Sequence, residues 1–256
     1  MSRVAQAFAN GKAFIPFITA GDPSLPITEQ LVIEMAGNGA DLIEIGIPFS
    51  DPVAEGLVIQ RADERALAGG VTTDKIFAMV ASIRKVCDVP LAFMTYANPV
   101  FSYGSERFLE NCQAVGVDAL IVPDLPFEEK AELQPYCSRY GVDLISLIAP
   151  TSQARIRMIA GEAQGFVYCV SSLGVTGVRQ EITTDVGEMV RLVKEVKDIP
   201  CAIGFGISAP EQAAAMAKVA DGVIVGSAIV KIVEEYGENC IPHVVDYVKT
   251  MKKALE

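Results

Sequence analysis

Eight short apolar runs recur along the chain, and stretches with helical patterning separate them. The runs cover Phe14–Thr19, Asp41–Gly46, Leu91–Thr95, Asp118–Val122, Asp143–Ile148, Phe166–Val170, Cys201–Gly204 and Asp221–Gly226. Near-continuous apolar strands that alternate with helices are typical of a parallel sheet with both faces covered. Eight such units within 256 residues favour a closed (β/α)8 barrel, or TIM barrel, over the alternative of an open doubly wound sheet.

The stretches between these runs complete the prediction of an α/β fold. Helical patterning covers Ile27–Asn38, Thr72–Val86, Glu106–Val115, Glu128–Tyr140, Gln153–Glu162, Asp185–Lys197 and Pro210–Ala217, and a helical tail follows from Ser227. No linker, low-complexity segment or shift in composition interrupts the chain. We therefore expect a single barrel domain over residues 1–256, with extra helices at the N-terminus and between strands.

Four aspartates stand at the starts of predicted strands. They are Asp41, Asp118, Asp143 and Asp221. Three of them follow a glycine by two positions, and glycine just after a helix is typical of a C-terminal cap. The start of a barrel strand lies on the face that serves stability, opposite the active-site face. These aspartates are therefore predicted to be structural.

Glu44 stands near the other end of its strand, just before a loop rich in glycine and proline. Strand alternation places Leu42, Glu44 and Gly46 on one side, which suits the barrel interior, and the two intervening isoleucines on the other. A buried carboxylate costs several kcal/mol unless it has a partner or becomes protonated. Glu44 is therefore a candidate acid/base, and an ion pair with Lys or Arg inside the barrel is the alternative.

The loop after this strand carries two more carboxylates, Asp51 and Glu55. Charges in a loop of this composition are usually solvated. A long loop between a strand and a helix is also where barrel enzymes keep lids and binding groups. Both interpretations stay open from the residues alone.

Glycine-rich turns follow the sixth, seventh and eighth predicted strands. Their sequences run over residues 170–179, 203–208 and 223–228. Glycine lets a backbone approach a ligand closely, and helix N-termini aim N–H groups at anions. The loops after strands seven and eight are the usual phosphate site of this fold. We predict a phosphate site there, and tight turns without a ligand are the alternative.

Composition argues against several classes of function. A net charge of −11 and a pI near 4.7 do not suit a nucleic-acid surface. One histidine, His243, and six dispersed cysteines without a C-x-x-C pair argue against histidine-based catalysis, a metal site and disulfides. No apolar run of membrane-spanning length and no signal core appear. A cytoplasmic protein that does not enter a membrane is expected.

Seven segments, in order along the whole chain, carry a family resemblance. They are Phe14–Pro23, Glu44–Pro52, Met94–Pro99, Val122–Pro126, Leu173–Gly177, Gly204–Ser208 and Gly226–Val230. The second, with the pattern E-x-G-x-P-F-S-D-P, is highly specific. Together they resemble the tryptophan synthase α subunit, a family of (β/α)8 lyases.

The resemblance implies a reaction and the residues that perform it. Family members cleave indole-3-glycerol phosphate by a retro-aldol reaction into indole and glyceraldehyde 3-phosphate, without a cofactor of their own. Matched by motif, Glu44 is the principal acid/base, and Glu55 stabilises the positive charge that develops at the indole nitrogen. Phe17, Ile59, Tyr168 and Thr176 match the indole and glycerol pocket, and Gly177, Gly206, Gly226 and Ser227 match the phosphate cradle.

The resemblance also implies a partner. The family works as an α2β2 complex, in which a β subunit holds pyridoxal phosphate and receives indole through a tunnel to make L-tryptophan. The loops Pro48–Ile59 and Leu173–Arg179 would become ordered on binding, with Asp51 as an interface or loop-ordering residue. Contact with a partner can order a catalytic lid and so couple two sites.

Three positions depart from the family pattern. Glu55 stands where many relatives have Asp, and the extra methylene moves the carboxylate by roughly 1.5 Å, enough to affect rate. Leu57 replaces a common proline, and Ser171–Leu173 stands where some relatives carry an arginine. These departures concern loop closure and rate, not the reaction class.

Three alternative functions stay open at this stage. Another phosphate-binding barrel could act on a ribulosyl-anthranilate intermediate as an isomerase or synthase. Such enzymes usually place a lysine at a strand end, which no predicted strand here does. A catalytically silent regulatory subunit would only dock to and activate a β partner. A free-standing lyase would release indole instead of passing it on.

Overall fold

The computed structural model describes residues 2–170, 186–204 and 206–256. Its strands are β1 (Ala13–Thr19), β2 (Ile43–Gly46), β3 (Leu91–Met94), β4 (Ala119–Ile121), β5 (Asp143–Leu144), β6 (Ser146–Ile148), β7 (Val167–Val170), β8 (Cys201–Gly204) and β9 (Gly222–Val225). The strand pairs in this part of the chain are parallel, in the order β5-β4-β3-β2-β1-β9-β8-β7-β6. Sequential strands are neighbours and the last pairs with the first, unlike the order of an open doubly wound sheet.

The first and last strands in this order, β5 and β6, are consecutive in the chain. β5 pairs with β4 and β6 pairs with β7, while only Ile145 separates β5 from β6. Barrel strands are tilted and staggered, so the two neighbours meet this segment at different heights. The predicted barrel is confirmed, but its fifth strand, Asp143–Ile148, is two short strands instead of one.

Helices surround the strands. In the described residues they are α1 (Arg3–Gln6), α2 (Leu25–Gly37), α3 (Leu57–Ala68), α4 (Thr73–Ile83), α5 (Ala97–Tyr103), α6 (Ser105–Val115), α7 (Gln134–Tyr140), α8 (Gln153–Glu162), α9 (Val186–Val196), α10 (Pro210–Ala217), α11 (Ser227–Tyr236) and α12 (Cys240–Lys253). Two 3-10 helices cover Phe127–Glu132 and Gly237–Asn239. The expected extra helices at the N-terminus and between strands are present as α1, α3 and α5.

One predicted helix and one predicted loop need correction. The predicted helix Glu128–Tyr140 is a 3-10 helix followed by α7, because Pro135 in the first turn of α7 lacks an N–H and would clash with the preceding turn of a longer helix. The predicted loop Pro48–Ile59 ends at Gly56, the N-cap of α3. Ile59 therefore lies in a helix, whose rigid backbone fixes its direction.

The core has an outer layer between strands and helices and an inner layer inside the barrel. Ile43 and Ile45 belong to the outer layer, whereas Leu42 and Ala92 belong to the inner one. Glu44 is in register with Ala92 on β3. The alternation predicted for β2 is confirmed, so Glu44 lies on the inward side of the strand.

Three of the four strand-start aspartates hold a backbone amide at the start of a neighbouring strand. The N–H···Oδ2 pairs are Phe14 to Asp41 at 2.7 Å, Leu91 to Asp118 at 2.9 Å and Cys201 to Asp221 at 2.9 Å. The predicted structural role is confirmed for these three. Asp143 differs, because its Oδ2 is buried without a hydrogen-bond partner among the described residues.

Neither a helix able to cross a membrane alone nor a cluster able to hold a metal ion occurs in residues 2–170, 186–204 and 206–256. No single helix in them has both the length and the apolar composition to cross a membrane; α3 and α4, bent by 96° to each other, meet that test only as a pair. No group of three or more His, Cys, Asp or Glu side chains in these ranges is arranged to hold a metal ion. A single domain over residues 1–256 and a cytoplasmic location stay predictions.

Candidate active site

Glu44 is the buried acid of the site. Its side chain is 0% exposed, and neither carboxyl oxygen has a hydrogen-bond partner among the described residues. Burial raises the pKa of Glu44 to about 8, because surroundings of low dielectric constant penalise the anion. Near neutral pH the side chain is therefore mostly a carboxylic acid that has a proton to donate.

The alternative interpretation of Glu44, an ion pair inside the barrel, has no support in the described part of the chain. Burial alone accounts for its shifted pKa, with no contribution from a nearby cation. A buried carboxyl group without partners costs stability, and groups with strongly shifted pKa values cluster at functional sites. Glu44 thus has the environment of a catalytic acid, not of a structural ion pair.

Glu55 is a second buried acid, and it lies in the loop between β2 and α3. Burial raises the pKa of Glu55 to about 7, and hydrogen bonding from the Tyr96 hydroxyl opposes that rise. The same hydroxyl oxygen accepts a hydrogen bond from the Ala54 N–H at 3.0 Å, and Gln60 donates to the Glu55 carbonyl oxygen at 2.7 Å. Tyr96 and Gln60 therefore position the part of the loop that carries Glu55.

Tyr168 on β7 lies close to both acids. Its pKa is raised well above the ordinary value, first by burial and then by the charges of Glu44 and Glu55. A Cβ atom at Gly204 would lie 2.4 Å from the Tyr168 hydroxyl oxygen. Only glycine at this end of β8 therefore leaves room for the tyrosine ring in its present position.

Phe17 on β1 occupies the space beside two other strand-end glycines. A Cβ atom would lie 2.6 Å from Phe17 Cζ at Gly46 and 3.3 Å from Phe17 Cδ1 at Gly226. Ile59 of α3 and Val230 of α11 pack with Phe17 in one small apolar cluster. The structure therefore brings together Phe17 and Ile59, two residues that the family resemblance assigns to one pocket.

A cavity of about 330 Å³ opens beside these residues. Glu55, Met94 and Val170 line it at the mouth of the barrel, and the loop after β4 and helix α8 line its other side. Its volume lies in the range of small-molecule sites. Glu44, Phe17, Ile59 and Tyr168 are not among the described residues that line it, so the open space adjoins the predicted pocket instead of coinciding with it.

The expected phosphate site can be described in part. Gly206 has φ of +78°, a conformation that favours glycine. Gly226 is the N-cap of α11 and Ser227 its first residue, so their position next to the unpaired N–H groups of a helix N-terminus suits an anion. Thr176 and Gly177 lie outside the described residues, as does the predicted loop Leu173–Arg179.

Asp51 lies apart from the two buried acids, on the exposed surface of the loop. The Ser50 hydroxyl donates a hydrogen bond to Asp51 Oδ2 at 2.6 Å. Val53 and Leu57, on either side of Glu55, are 71% and 72% exposed. An exposed acid with two exposed apolar side chains is typical of a contact surface, not of an acid/base centre.

Sequence reasoning missed two residues near Glu55, namely Tyr96 and Asp63. Asp63 on α3 is buried, and its pKa is raised to about 8 by burial first and by the charge of Glu55 next. A helix over residues 57–68 would have placed Asp63 on the same face as Ile59, four residues earlier. Tyr96 could have been found from its place two residues beyond the C-terminal end of β3.

Proteins of known family align with this chain over its whole length. Residues 4–256 match the family model described as tryptophan synthase alpha chain. The tryptophan synthase alpha chain of Lacticaseibacillus casei is 47% identical, over 100% of this chain and 96% of its own length. That of Lactiplantibacillus plantarum is 48% identical, over 100% of this chain and 97% of its own length.

Solved structures give the same result. A crystal structure of the tryptophan synthase alpha chain from Legionella pneumophila is 35% identical, with a TM-score of 0.89 over 100% of this chain and 97% of that one. A chain of the tryptophan synthase a2b2 complex from Pyrococcus furiosus is also 35% identical, with a TM-score of 0.87 over 94% and 98%. With a family model matched almost end to end and relatives near half identity, this chain belongs to the tryptophan synthase alpha chain family.

Proposed function

We propose that this chain is a carbon–carbon lyase that cleaves indole-3-glycerol phosphate into indole and glyceraldehyde 3-phosphate. Its family membership supports this reaction. The observation that carries the proposal is the fully buried carboxyl group of Glu44, which has no partner among the described residues. A retro-aldol cleavage needs a group that first gives a proton and then takes one. A carboxyl group with a pKa of about 8 can do both near neutral pH.

The first half of the reaction is a proton transfer to the indole ring. The Glu44 carboxylic acid gives its proton to the ring carbon that bears the glycerol side chain. The positive charge that results spreads to the ring nitrogen, where the Glu55 carboxylate stabilises it. A carboxylate already placed where charge develops stabilises the transition state without reorganisation.

The second half breaks the carbon–carbon bond. The Glu44 carboxylate takes the proton from the hydroxyl group on the side-chain carbon attached to the ring. That carbon becomes the aldehyde of glyceraldehyde 3-phosphate, and the bonding electron pair returns to the ring, which becomes neutral indole. Glu44 ends in its protonated form, ready for another cycle.

The different pKa values of the two acids suit these different roles. Between about pH 7 and pH 8, more than half of Glu55 is ionised while more than half of Glu44 is protonated. When the surroundings of two carboxyl groups give them different pKa values, one can act as an acid while the other is ionised. Deeper burial keeps the proton on Glu44, and the Tyr96 hydroxyl favours the anion of Glu55.

We assign the remaining predicted residues to substrate binding. Phe17, Ile59 and Tyr168 would surround the indole ring, since all three are buried. Phe17 is in register with Glu44 and packs with Ile59, and Tyr168 is close enough to both acids for their charges to raise its pKa. The backbone at Gly206, Gly226 and Ser227 would hold the phosphate at the N-terminus of α11. Thr176 and Gly177 keep their assignment as predictions from the family motif.

We also propose a β subunit as partner, in an α2β2 complex. The a2b2 complex of the Pyrococcus furiosus relative supports this assembly, as does the exposed surface formed by Asp51, Val53 and Leu57 on the loop beside Glu55. Docking there would order the loop and raise turnover. Pyridoxal phosphate is assigned to the β subunit, where indole from this chain would be converted to L-tryptophan.

The direct test is release of glyceraldehyde 3-phosphate from indole-3-glycerol phosphate, with and without a β subunit. Glu44→Gln should lower kcat by about 1000-fold or more while substrate still binds, because it removes both proton transfers. Glu64→Gln is the matched control, since Glu64 is exposed on α3.

The same experiment separates the alternatives. Release that the β subunit does not accelerate would favour a free-standing lyase. No release by the wild-type chain under either condition would overturn the proposed reaction and favour a silent regulatory subunit or another phosphorylated substrate. Full activity of Glu44→Gln would remove Glu44 from its assigned role.

A further inference from the structure

Arg65 on helix α3 binds two acids that come from other parts of the barrel. Its Nε and Nη2 donate hydrogen bonds to the two carboxylate oxygens of Asp22, each at 2.8 Å, and its Nη1 donates to Glu234 Oε1 at 3.1 Å. Asp22 lies three residues beyond the end of β1, and Glu234 lies on α11. One guanidinium group therefore connects α3 to the turn after β1 and to α11.

The ion pair with Asp22 is largely removed from water. The Asp22 side chain is 3% exposed, and that of Arg65 is 34% exposed. Charge-assisted bonds to both oxygens of one carboxylate have a defined geometry and are stronger than ordinary hydrogen bonds. Arg61, one turn earlier on α3, pairs with Glu234 at 3.0 Å but is 53% exposed, and exposed pairs contribute little. We therefore expect Arg65, and not Arg61, to fix the contact between these elements.

The ion pairs of Arg65 lie beside the small apolar cluster that includes Phe17 of β1. Arg65 follows Ala62 of that cluster by three positions on α3, and Glu234 follows Val230 of the cluster by four positions on α11. Residues three or four apart lie on the same face of a helix. The cluster and the ion pairs therefore form one continuous interface between β1, α3 and α11.

Both helices begin at parts of the proposed site. α3 follows Gly56, directly after Glu55, and has Ile59 in its first turn. α11 follows Gly226, at the expected phosphate site. Asp22 lies beyond the C-terminal end of β1, so the ion pairs lie on the active-site face of the barrel. A shift of α3 against α11 would therefore change the distance between the indole side of the pocket and the phosphate site.

We propose that Arg65 is a positioning residue, which fixes α3 and α11 against the end of β1 and so holds the indole side of the pocket at its distance from the phosphate site. The effect on the reaction rests on the proposed function. The effect on the spacing of the helices does not, because it concerns contacts within the chain. A residue that only stabilised the fold would instead affect all parts of the barrel alike.

Three variants separate position from charge. Arg65→Met keeps most of the alkyl chain and loses the guanidinium group, which leaves the Asp22 carboxylate buried without Arg65. Because such an uncompensated charge can prevent folding, the double variant Asp22→Asn/Arg65→Met removes the charge together with the ion pair. Arg61→Met is the matched control, since it removes an exposed cation from the same helix and from the same partner, Glu234.

The first measurement is hydrogen exchange on the full chain, without substrate, near pH 7. The reporters are four amides in the first turns of α3 and α11, each bound to the carbonyl oxygen of Gly56 or Gly226, namely those of Ile59, Gln60, Ile229 and Val230. Their exchange should accelerate about tenfold or more in Arg65→Met and in the double variant, because these turns open more often. The reference is the Ile156 amide of α8, bound to the Ser152 carbonyl oxygen, which should stay within about twofold of wild type.

Two exchange results would overturn the positioning role. One is unchanged exchange of the four reporter amides in the double variant, with its fold intact by circular dichroism. The other is equal acceleration of the reporter amides and of Ile156, since that would mean a general loss of stability. Arg61→Met should match the wild-type chain at all of these amides, and acceleration there equal to that of Arg65→Met would remove the distinction between the two arginines.

The second measurement compares a ligand that spans the pocket with one that does not. KM for indole-3-glycerol phosphate, with and without a β subunit, should rise about tenfold in the double variant, because the substrate must reach both ends at once. Glycerol 3-phosphate lacks the indole ring, so its Kd, measured by titration calorimetry, should change by less than about threefold. An equal rise of both constants would mean damage to the phosphate site itself and would contradict a change of spacing.

The two measurements also separate this inference from the proposed function. If the wild-type chain releases no product while the exchange results hold, the proposed reaction fails and the spacing role survives. If the exchange results hold and KM is unchanged in the double variant, Arg65 fixes the helices without affecting the substrate, and the part that concerns the reaction is overturned.

Discussion

The ring of Tyr168 fills the space that a side chain at Gly204 would need. A Cβ atom there would lie 2.4 Å from the tyrosine hydroxyl oxygen and 2.6 Å from Cε1, closer than carbon and oxygen atoms pack. Tyr168 and Gly204 lie on adjacent strands, β7 and β8. The glycine therefore determines where an aromatic ring sits relative to Glu44 and Glu55.

Gly204→Ala should displace the Tyr168 ring and weaken substrate binding. We expect KM to rise by about tenfold, since a displacement near 1 Å has effects of that order or larger on a precise site. The matched control is Gly161→Ala on helix α8, where, among the described residues, a Cβ atom would meet only Val196, at 3.8 Å. Steady-state kinetics of both variants test this, and a wild-type KM in Gly204→Ala would contradict it.

Glu44→Gln should make the protein more stable at alkaline pH while removing activity. The pKa of Glu44 is about 8 in the folded chain against 4.5 for the free group. Its contribution to stability is therefore fully present below about pH 4.5 and is lost as the pH rises towards 8. One pKa unit corresponds to about 1.4 kcal/mol, so the variant should gain a few kcal/mol at pH 8.

Urea unfolding at pH 8 and at pH 4.5 measures this gain. The difference in free energy of unfolding between Glu44→Gln and wild type should be large at the higher pH and small at the lower one. Glu64→Gln should show no such dependence. A Glu44→Gln variant less stable than wild type at pH 8 would contradict burial as the cause of the raised pKa.

The pH–rate profile should be bell-shaped, with its maximum between about pH 7 and pH 8. Glu55 must be ionised, so kcat/KM should fall below its pKa of about 7. Glu44 must begin protonated, so kcat/KM should fall above its pKa of about 8. The limbs of kcat/KM report the ionisation of groups in the free enzyme, to which these pKa values belong. A flat profile from pH 6 to 9 would rule out these roles.

Tyr96→Phe should move the acidic limb of that profile to higher pH. Hydrogen bonding from the Tyr96 hydroxyl lowers the pKa of Glu55, and the same oxygen accepts the Ala54 N–H. Its loss should raise the pKa of Glu55 and loosen the loop. Tyr103→Phe is the control, because that hydroxyl bonds to Asp74 and Asn111 instead. An unshifted acidic limb in Tyr96→Phe would remove this interaction from the mechanism.

Asp118→Ala should lower stability without changing kcat. Asp118 accepts the Leu91 N–H at 2.9 Å and pairs with Arg84 at 2.7 Å, on the face of the barrel opposite the site. Removing it leaves a largely buried guanidinium group with one partner fewer, which costs about 2–4 kcal/mol. Asp88→Ala is the control, since that side chain is fully exposed. Urea unfolding measures the loss of stability, and steady-state kinetics measure kcat. A lower kcat in Asp118→Ala would contradict a purely structural role.

The position of Glu44 could be predicted because it depends on local rules. Alternation along a short apolar strand sets which side chains face inward, and the register of β2 against β3 agrees with it. The strand-start aspartates were predictable for the same reason, since a helix end and a strand start can be read from neighbouring residues. Asp143 shows the limit, because the sequence does not reveal that its Oδ2 has no hydrogen-bond partner in the part of the chain that the structure describes.

Features that depend on distant residues could not be predicted. Helix α3 begins at Leu57, and its N-cap Gly56 has no side chain to cap it. No start signal therefore marked this helix, so the helical position of Ile59 and the burial of Asp63 were both missed. The ionisation of Glu55 depends on Tyr96, which is far along the chain. The break at Ile145 depends on the stagger of the closed barrel. The assignments of Thr176 and Gly177 stay predictions.

The break at Ile145 also divides the wall of the barrel between the two sides of the site. Glu44 belongs to the arc from β1 to β5, and Tyr168 to the arc from β1 through β9 to β6. The arcs share hydrogen bonds at β1, which pairs with β2 on one side and β9 on the other. At Ile145 they are joined by the covalent backbone. The separation of the acid from the aromatic ring therefore depends both on the curvature of the sheet across β1 and on the covalent connection at Ile145.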